Sequence, residues 1–200
     1  MTREPAMSMR GSSATAAPVR PAALSVTTER LLRLAPVGKS EILAGIAADF
    51  DRLAASAGIT TRLRLCHLLA QAAHETDRFR TLEEYGGPAY FAHYDWRRDL
   101  GNTKAGDGAR FHGRGIFQLT GRANYRRYGA LIGLDLEGSP ERAKEPAVSL
   151  AIAFAYWRDR DCNAAADADD VVAVTRLING GRNGLAQRAQ LLALAKTIWV

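Results

Sequence analysis

Apolar residues recur at three- and four-residue steps in several separated stretches of this chain, and that spacing predicts a mainly helical protein. From about Lys39, the residues Ile42, Leu43, Ile46, Phe50 and Leu53 form one stripe, which Gly58 closes. A second helix is predicted from about Thr61 to Thr76, with Leu65, Leu68, Leu69 and Ala72 on one face. Extending that stripe brings Glu75 near the same face, in the last turn. Pro146 suits the first turn of a third helix carrying Val148, Leu150, Ile152, Phe154 and Trp157. Asp169 or Asp170 can cap the next, through Val171, Val174, Leu177 and Ile178, which Gly180-Gly181 stops. A final helix is predicted from about Leu185 to Trp199.

Between these segments the pattern fails in one place. Residues 81 to 120 include twelve of forty that are Gly, Asp, Asn or Pro, with aromatics scattered among them. That composition predicts an irregular lobe with a short hairpin. Thr120 is expected to cap a helix carrying Tyr125, Tyr128, Leu131 and Ile132. A loop region this long inside a folded domain is functional or disordered, and its aromatic content argues for function. Residues 1–24, rich in Ala, Ser, Pro and Arg, are expected to be a disordered extension, leaving 25–200 as a single domain.

Charge narrows the partners. The formal net charge is +6 and the pI about 9.7, mostly from arginine, so a polyanion would be attracted. No dense Lys/Arg block interleaved with aromatics is present, so no nucleic-acid partner is expected. No apolar run approaches a membrane span, and the N-terminus lacks the continuous apolar core of a conventional signal peptide. Cys66 and Cys162 are too few for a disulfide framework, and Cys66, within an apolar helical run, is read as a buried free thiol.

The candidate chemistry is carboxylate chemistry. Glycosidic-bond hydrolysis uses two carboxylates with different roles, and polar groups that hold sugar and water between them. Glu75 at a helix C-terminus faces the negative end of the helix dipole, and burial on an apolar face acts in the same direction; both favour the protonated form that a general acid needs. Glu83 and Glu84 follow eight and nine residues later. In Gly113-Arg114-Gly115, the third glycine of a dinucleotide fingerprint and the Lys-Ser/Thr of a P-loop are missing. Its predicted role is a tight backbone path that turns Gln118 and Thr120 towards a cleft. His74-Glu75 does not make a zinc-protease motif, because the position four after His74 is Arg78. No metal or cofactor is called for. Asn179 closes a helix in a glycine turn, where a C-cap accounts for the pattern.

Taken in order, Ala72-Ala73-His74-Glu75-Thr76, Glu84-Tyr85 with Gly87 and Tyr90, Asp99 to Thr103, Gly106-Asp107-Gly108, Gly113 to Arg122 with Asn124-Tyr125, and Ile178-Asn179-Gly180-Gly181 resemble the family 19 glycoside hydrolases, chitinases and their phage-endolysin relatives. The resemblance implies a lysozyme-like, two-lobed helical domain whose irregular region lines a cleft. It implies hydrolysis with inversion, Glu75 as general acid, Glu84 as general base and Thr120 positioning the water. It further implies that His74, Gln118, Asn124, Tyr125, Asn179 and Arg188 contact substrate, a polysaccharide bound by a monomer. The short spacing between the glutamates and the absent plant disulfides and loops match the compact bacterial and prophage members. That leaves peptidoglycan ahead of chitin, reached from the cytoplasm by release through a holin-type pore. Rival readings are a retaining lysozyme or lytic transglycosylase, and a non-catalytic wall-binding protein.

Overall fold

Thr61 and Asp170 begin two helices in the way the sequence predicts: the Thr61 hydroxyl accepts from the Arg64 N–H, and the Asp170 carboxylate accepts from the N–H groups of Val172 and Ala173. A computed structural model describes residues 22–200 of the chain. Its α-helices are α1 Thr28–Leu34, α2 Ser40–Ala54, α3 Arg62–Glu75, α4 Pro88–Phe91, α5 Asp107–Arg110, α6 Arg122–Ile132, α7 Pro146–Asp159, α8 Cys162–Asp167, α9 Val171–Asn179 and α10 Leu185–Ile198. Pro146 stands at the start of α7, where its missing N–H leaves no bond unmade. Gly58, Gly133 and Gly180 each follow a helical segment in the left-handed conformation that ends it.

Two apolar clusters give the fold its lobes. The larger joins Leu43, Ile46 and Phe50 of α2, Leu65 and Leu69 of α3, and Leu191 and Leu192 of α10 around Phe154 and Trp157 of α7. Full burial of a side chain such as Phe50, which is 0% exposed, is worth roughly 2–3 kcal/mol. The smaller collects Phe111, Leu119, Tyr125, Tyr128 and Leu136 on Val148, Ile152 and Ala155, on the other side of α7. α7 is therefore apolar all round, as a helix shared by two cores must be.

Several elements depart from the sequence expectations. α1 and α8 form where no helix was predicted; α1 starts at Thr27, whose hydroxyl accepts from the Arg30 N–H, and α8 follows Asp161 in the left-handed region. Residues 81–120 contain no named strand. Their only β pairing consists of isolated bridges from Arg114 to Glu83 and to Leu119, in place of the expected hairpin. Thr120 does not cap α6: Gly121 holds that position, and the Thr120 hydroxyl donates to the Gln118 carbonyl. Most of the expected N-terminal extension lies outside the described residues, but Ala22–Leu24 forms one 3-10 turn with Leu24 against the larger core. Cys66 and Cys162 are free and buried, and burial pushes their thiols up to about 11 and about 12. No helix among the described residues is long and apolar enough to cross a membrane.

Polar side chains give the irregular lobe its shape. Asp107 is buried; its carboxylate accepts from the Thr103 N–H at 2.8 Å and pairs with Arg122. Asp95 accepts from the N–H groups of Gly106 and Gly108, and the Asn102 side chain accepts from the Arg122 N–H at 2.9 Å. The bonds from the N–H groups of Thr103, Gly106, Gly108 and Arg122 satisfy backbone donors that no ladder reaches.

Candidate active site

Glu75 is the last residue of α3, and the chain reverses immediately after it. Thr76 donates its hydroxyl to the Ala72 carbonyl and accepts from the Phe79 N–H, while Asp77, Arg78 and Phe79 take three consecutive left-handed conformations (φ 49°, 58° and 59°). Such backbone is unfavourable for residues other than glycine and persists only where its surroundings fix it. Here Phe79 is fully buried, and its carbonyl accepts from the Lys39 N–H. The strained turn returns the chain from Glu75 to Glu84 within nine residues.

The setting of Glu75 differs from the apolar face expected. The Arg188 guanidinium donates to Glu75 Oε1 at 2.5 Å, and Glu75 is 18% exposed against 1% for Arg188. Arg188 also donates to Gln71 Oε1 and to the Asn183 carbonyl. It is thus a buried residue that holds Glu75, and the expectation that it contacts substrate is corrected: it is 1% exposed, with three of its five N–H donors engaged within the protein.

Glu83 and Glu84 are adjacent and differ. Glu83 accepts from His112 and Arg114 at Oε1 and from Lys144 at Oε2. Burial alone would raise its pKa, but the bonds from Lys144, His112 and Arg114 outweigh that and hold it at about 2. Among the described residues Glu84 meets no cation in this way. Its Oε2 accepts from the Gly113 N–H at 2.9 Å and its Oε1 from the Tyr94 hydroxyl at 3.1 Å. The Tyr94 hydroxyl is pushed up to about 12, by burial first and then by the charge of Glu84.

Gly113 is the point where the two motifs touch. A Cβ there would stand 2.7 Å from Gln118 Oε1 and 3.0 Å from Glu84 Oε2, so glycine lets both side-chain ends keep their present positions. Glu84 lines a cleft of about 420 Å³ with Tyr85, Phe91 and His112. Gln118, Thr120 and Asn124 line a second groove of about 180 Å³ with Arg127, Tyr156 and Arg160. Gln118 itself is left-handed (φ 50°), with its amide donating to the Gly115 carbonyl. Glu75 lines neither concavity, but its charge is near enough to help raise the Tyr156 hydroxyl, behind burial as the main cause.

The remaining predicted residues divide. Asn179 is exposed at the end of α9. His74 is half-buried with its ring in the space that Gly184 leaves, 2.1 Å from where a Cβ would stand, so it packs against the start of α10. Tyr125 is corrected: it is fully buried, donates to the His112 carbonyl at 2.7 Å and accepts from Arg114 at 3.0 Å. It braces the glycine loop from behind and does not face a cleft. The sequence does not single out Tyr94, Tyr156 and Arg160: the Tyr94–Glu84 bond lies within the irregular lobe, and the setting of Tyr156 and Arg160 depends on the Ile178 and Leu177 carbonyls of α9. Among the described residues, no group of three or more His, Cys, Asp or Glu side chains is placed to hold a metal ion.

A helical fold of this kind, with acidic residues beside clefts in its irregular lobe, defines a lysozyme-like glycoside hydrolase. The family model described as chitinase class I matches residues 40–180, and the chain belongs to that family, glycoside hydrolase family 19. It is 28% identical over 188 residues to a glycosyl hydrolase family 19 domain-containing protein of Haemophilus influenzae, covering 80% of this chain and 90% of that one. To chitinase 12 of rice it is 30% identical over 170 residues, covering 68% of this chain and 51% of that one. The chain thus spans about half the length of that rice enzyme. Among solved structures, chitinase C of Streptomyces griseus has a TM-score of 0.72 at 21% identity, covering 88% of this chain and 77% of that one, and so shares the fold.

Proposed function

We propose that the protein is an inverting endo-glycosidase that hydrolyses β-1,4 bonds in polysaccharide containing N-acetylglucosamine, with peptidoglycan ahead of chitin. The observation that carries this reading is the unlike support of two carboxylates, Glu75 by a buried guanidinium and Glu84 by a backbone N–H and a phenol. An inverting enzyme needs two carboxyls in different roles, since one protonates the leaving oxygen while the other takes a proton from water on the opposite face of the sugar.

In this mechanism Glu75 delivers its proton to the glycosidic oxygen. Arg188 fixes Oε1, and Oε2 has no protein partner among the described residues, which leaves it for the substrate. Glu84 receives the proton of the attacking water. Gln118 and Thr120 hold water and sugar beside it, and Asn124 and Asn179 extend the contacts to N-acetyl groups and hydroxyls. Glu84 is favoured over Glu83 as base because Lys144, Arg114 and His112 all donate to the Glu83 carboxylate, which makes it a weak proton acceptor. The net charge of +6 supports an anionic wall polymer, while the rice and Streptomyces relatives are named for chitin. Residues 25–200 are read as one catalytic domain acting as a monomer on wall polysaccharide, reached by holin-type release.

The test is reducing-end release from purified peptidoglycan and from colloidal chitin, with wild type and Glu75→Gln side by side. Release from peptidoglycan, lost in the variant, is the expected result. Release from chitin alone would reassign the substrate, and no release from either would favour a wall-binding protein.

A further inference from the structure

Arg160 follows α7 and is exposed at the groove that carries Gln118, Thr120 and Asn124. Its guanidinium carbon lies 4.3 Å from the centre of the Tyr156 ring, and Nη1 donates to the Leu177 carbonyl at 3.2 Å. The Tyr156 hydroxyl is in turn fixed on the Ile178 carbonyl at 2.9 Å. The cation is therefore oriented by an aromatic ring and by the C-terminal turn of α9, and the bond to Leu177 engages one of its five N–H donors.

Its charge balance is unusual for this groove. Arg127 lines the same groove and is neutralised by Asp159 at 2.6 Å. Among the described residues Arg160 has no carboxylate partner. A neutral sugar needs no such group, because amides and hydroxyls already suit its N-acetyl and hydroxyl groups. A guanidinium held over an aromatic ring, with donors to spare, matches a carboxylate in charge and in fork geometry.

We propose that Arg160 is a specificity-determining residue that binds a carboxylate on the 3-O-lactyl branch of a muramic sugar, so that the groove selects acidic wall glycan over neutral chitin. This rests on the reading above of the groove as a glycan site. Two sources share the chemistry: the lactyl carboxylate itself in peptide-free glycan, and the carboxylates of a stem peptide attached to it.

The test is calorimetric titration of the full chain in the Glu75→Gln background, with and without Arg160→Gln or Arg160→Lys. The ligands are a peptide-free tetrasaccharide alternating N-acetylglucosamine and N-acetylmuramic acid, the same chain bearing stem peptides, and chitotetraose. Arg160→Gln is expected to weaken a muramic ligand about tenfold, the scale of one charge-assisted hydrogen bond in a partly exposed site, and to leave chitotetraose within about twofold. Arg160→Lys should retain part of the affinity, since it keeps the charge and loses the fork. A loss confined to the peptide-free chain or to the peptide-bearing chain supports the proposal and identifies the anion. Equal loss for muramic ligand and chitotetraose, no loss, or no binding of either muramic ligand by the parent would overturn it. Failure of the hydrolase reading is distinguishable, because it appears as absent wild-type turnover while the charge discrimination persists.

Discussion

Arg188 and Glu75, 113 residues apart, meet in a 2.5 Å ion pair that joins α10 to the end of α3. The arginine is 1% exposed, so its removal leaves a carboxylate with little water to replace the lost partner. Arg188→Met should therefore lower the unfolding free energy by about 3 kcal/mol. Glu75→Gln, which keeps an acceptor for the guanidinium, should stay close to wild type in stability while turnover falls by several orders of magnitude. Urea unfolding and reducing-end assays on both variants check this; an Arg188→Met midpoint equal to wild type would remove the pair from the account.

Glu83 and Glu84 should separate cleanly. Glu84→Gln is expected to lower turnover by about 10³ or more, the range of a general base, whereas Glu83→Gln should retain activity within about tenfold. The Glu83 carboxyl ordinarily titrates near 4.5 and is held at about 2 by Lys144, His112 and Arg114 against burial. A depressed carboxylate stabilises the fold above its unfolded value and loses that contribution as pH falls through the folded one. The stability advantage of wild type over Glu83→Gln should be full above pH 4.5 and shrink towards pH 2. A pH-independent difference in thermal midpoint would contradict the assignment.

Gly113→Ala probes the meeting point of the two motifs. The added methyl would press on Gln118 Oε1 at 2.7 Å and Glu84 Oε2 at 3.0 Å, both at the ends of side chains that can shift. The expected result is turnover reduced by about tenfold or more, as for a misplaced catalytic group, with a thermal midpoint within about 5 °C of wild type. Unchanged activity would show that neither side chain needs its present position.

His67 predicts an acid-sensitive step away from the clefts. It is fully buried, its Nε2 meets Asp169 Oδ1 at 2.8 Å, and its Nδ1 has no partner among the described residues. Burial lowers its pKa from 6.5, against the opposing pull of Asp169. The unfolded chain then binds the proton first, so stability is full above pH 6.5 and declines below it. His67→Gln should flatten the fall in thermal midpoint below pH 6.5; an unaltered slope would assign the effect elsewhere.

Much of this architecture was legible in the chain because it follows local rules. Thr61, Pro146, Asp170 and Gly180 punctuate helices by their own backbone preferences, and the stripe Leu65, Leu68, Leu69 and Ala72 faces the core as its period requires. The family and the mainly helical fold followed from the order of the motifs. What stayed hidden depends on partners distant in sequence. Arg188 reads as a substrate contact until Gln71 and Glu75 are seen beside it, and Tyr125 reads as another until Arg114 and the His112 carbonyl claim its hydroxyl. The unequal fates of Glu83 and Glu84 turn on Lys144, 61 residues beyond Glu83. α1, seven residues long, and α8, six, carry too few turns for a periodic signal.

The central claim, that Glu75 and Glu84 act as acid and base in a single displacement, is tested most directly by proton NMR of the product at the earliest times of hydrolysis of a soluble N-acetylglucosamine-containing oligosaccharide. The account predicts the α-anomer first, followed by mutarotation. Initial release of the β-anomer, or of a 1,6-anhydro sugar, would contradict it.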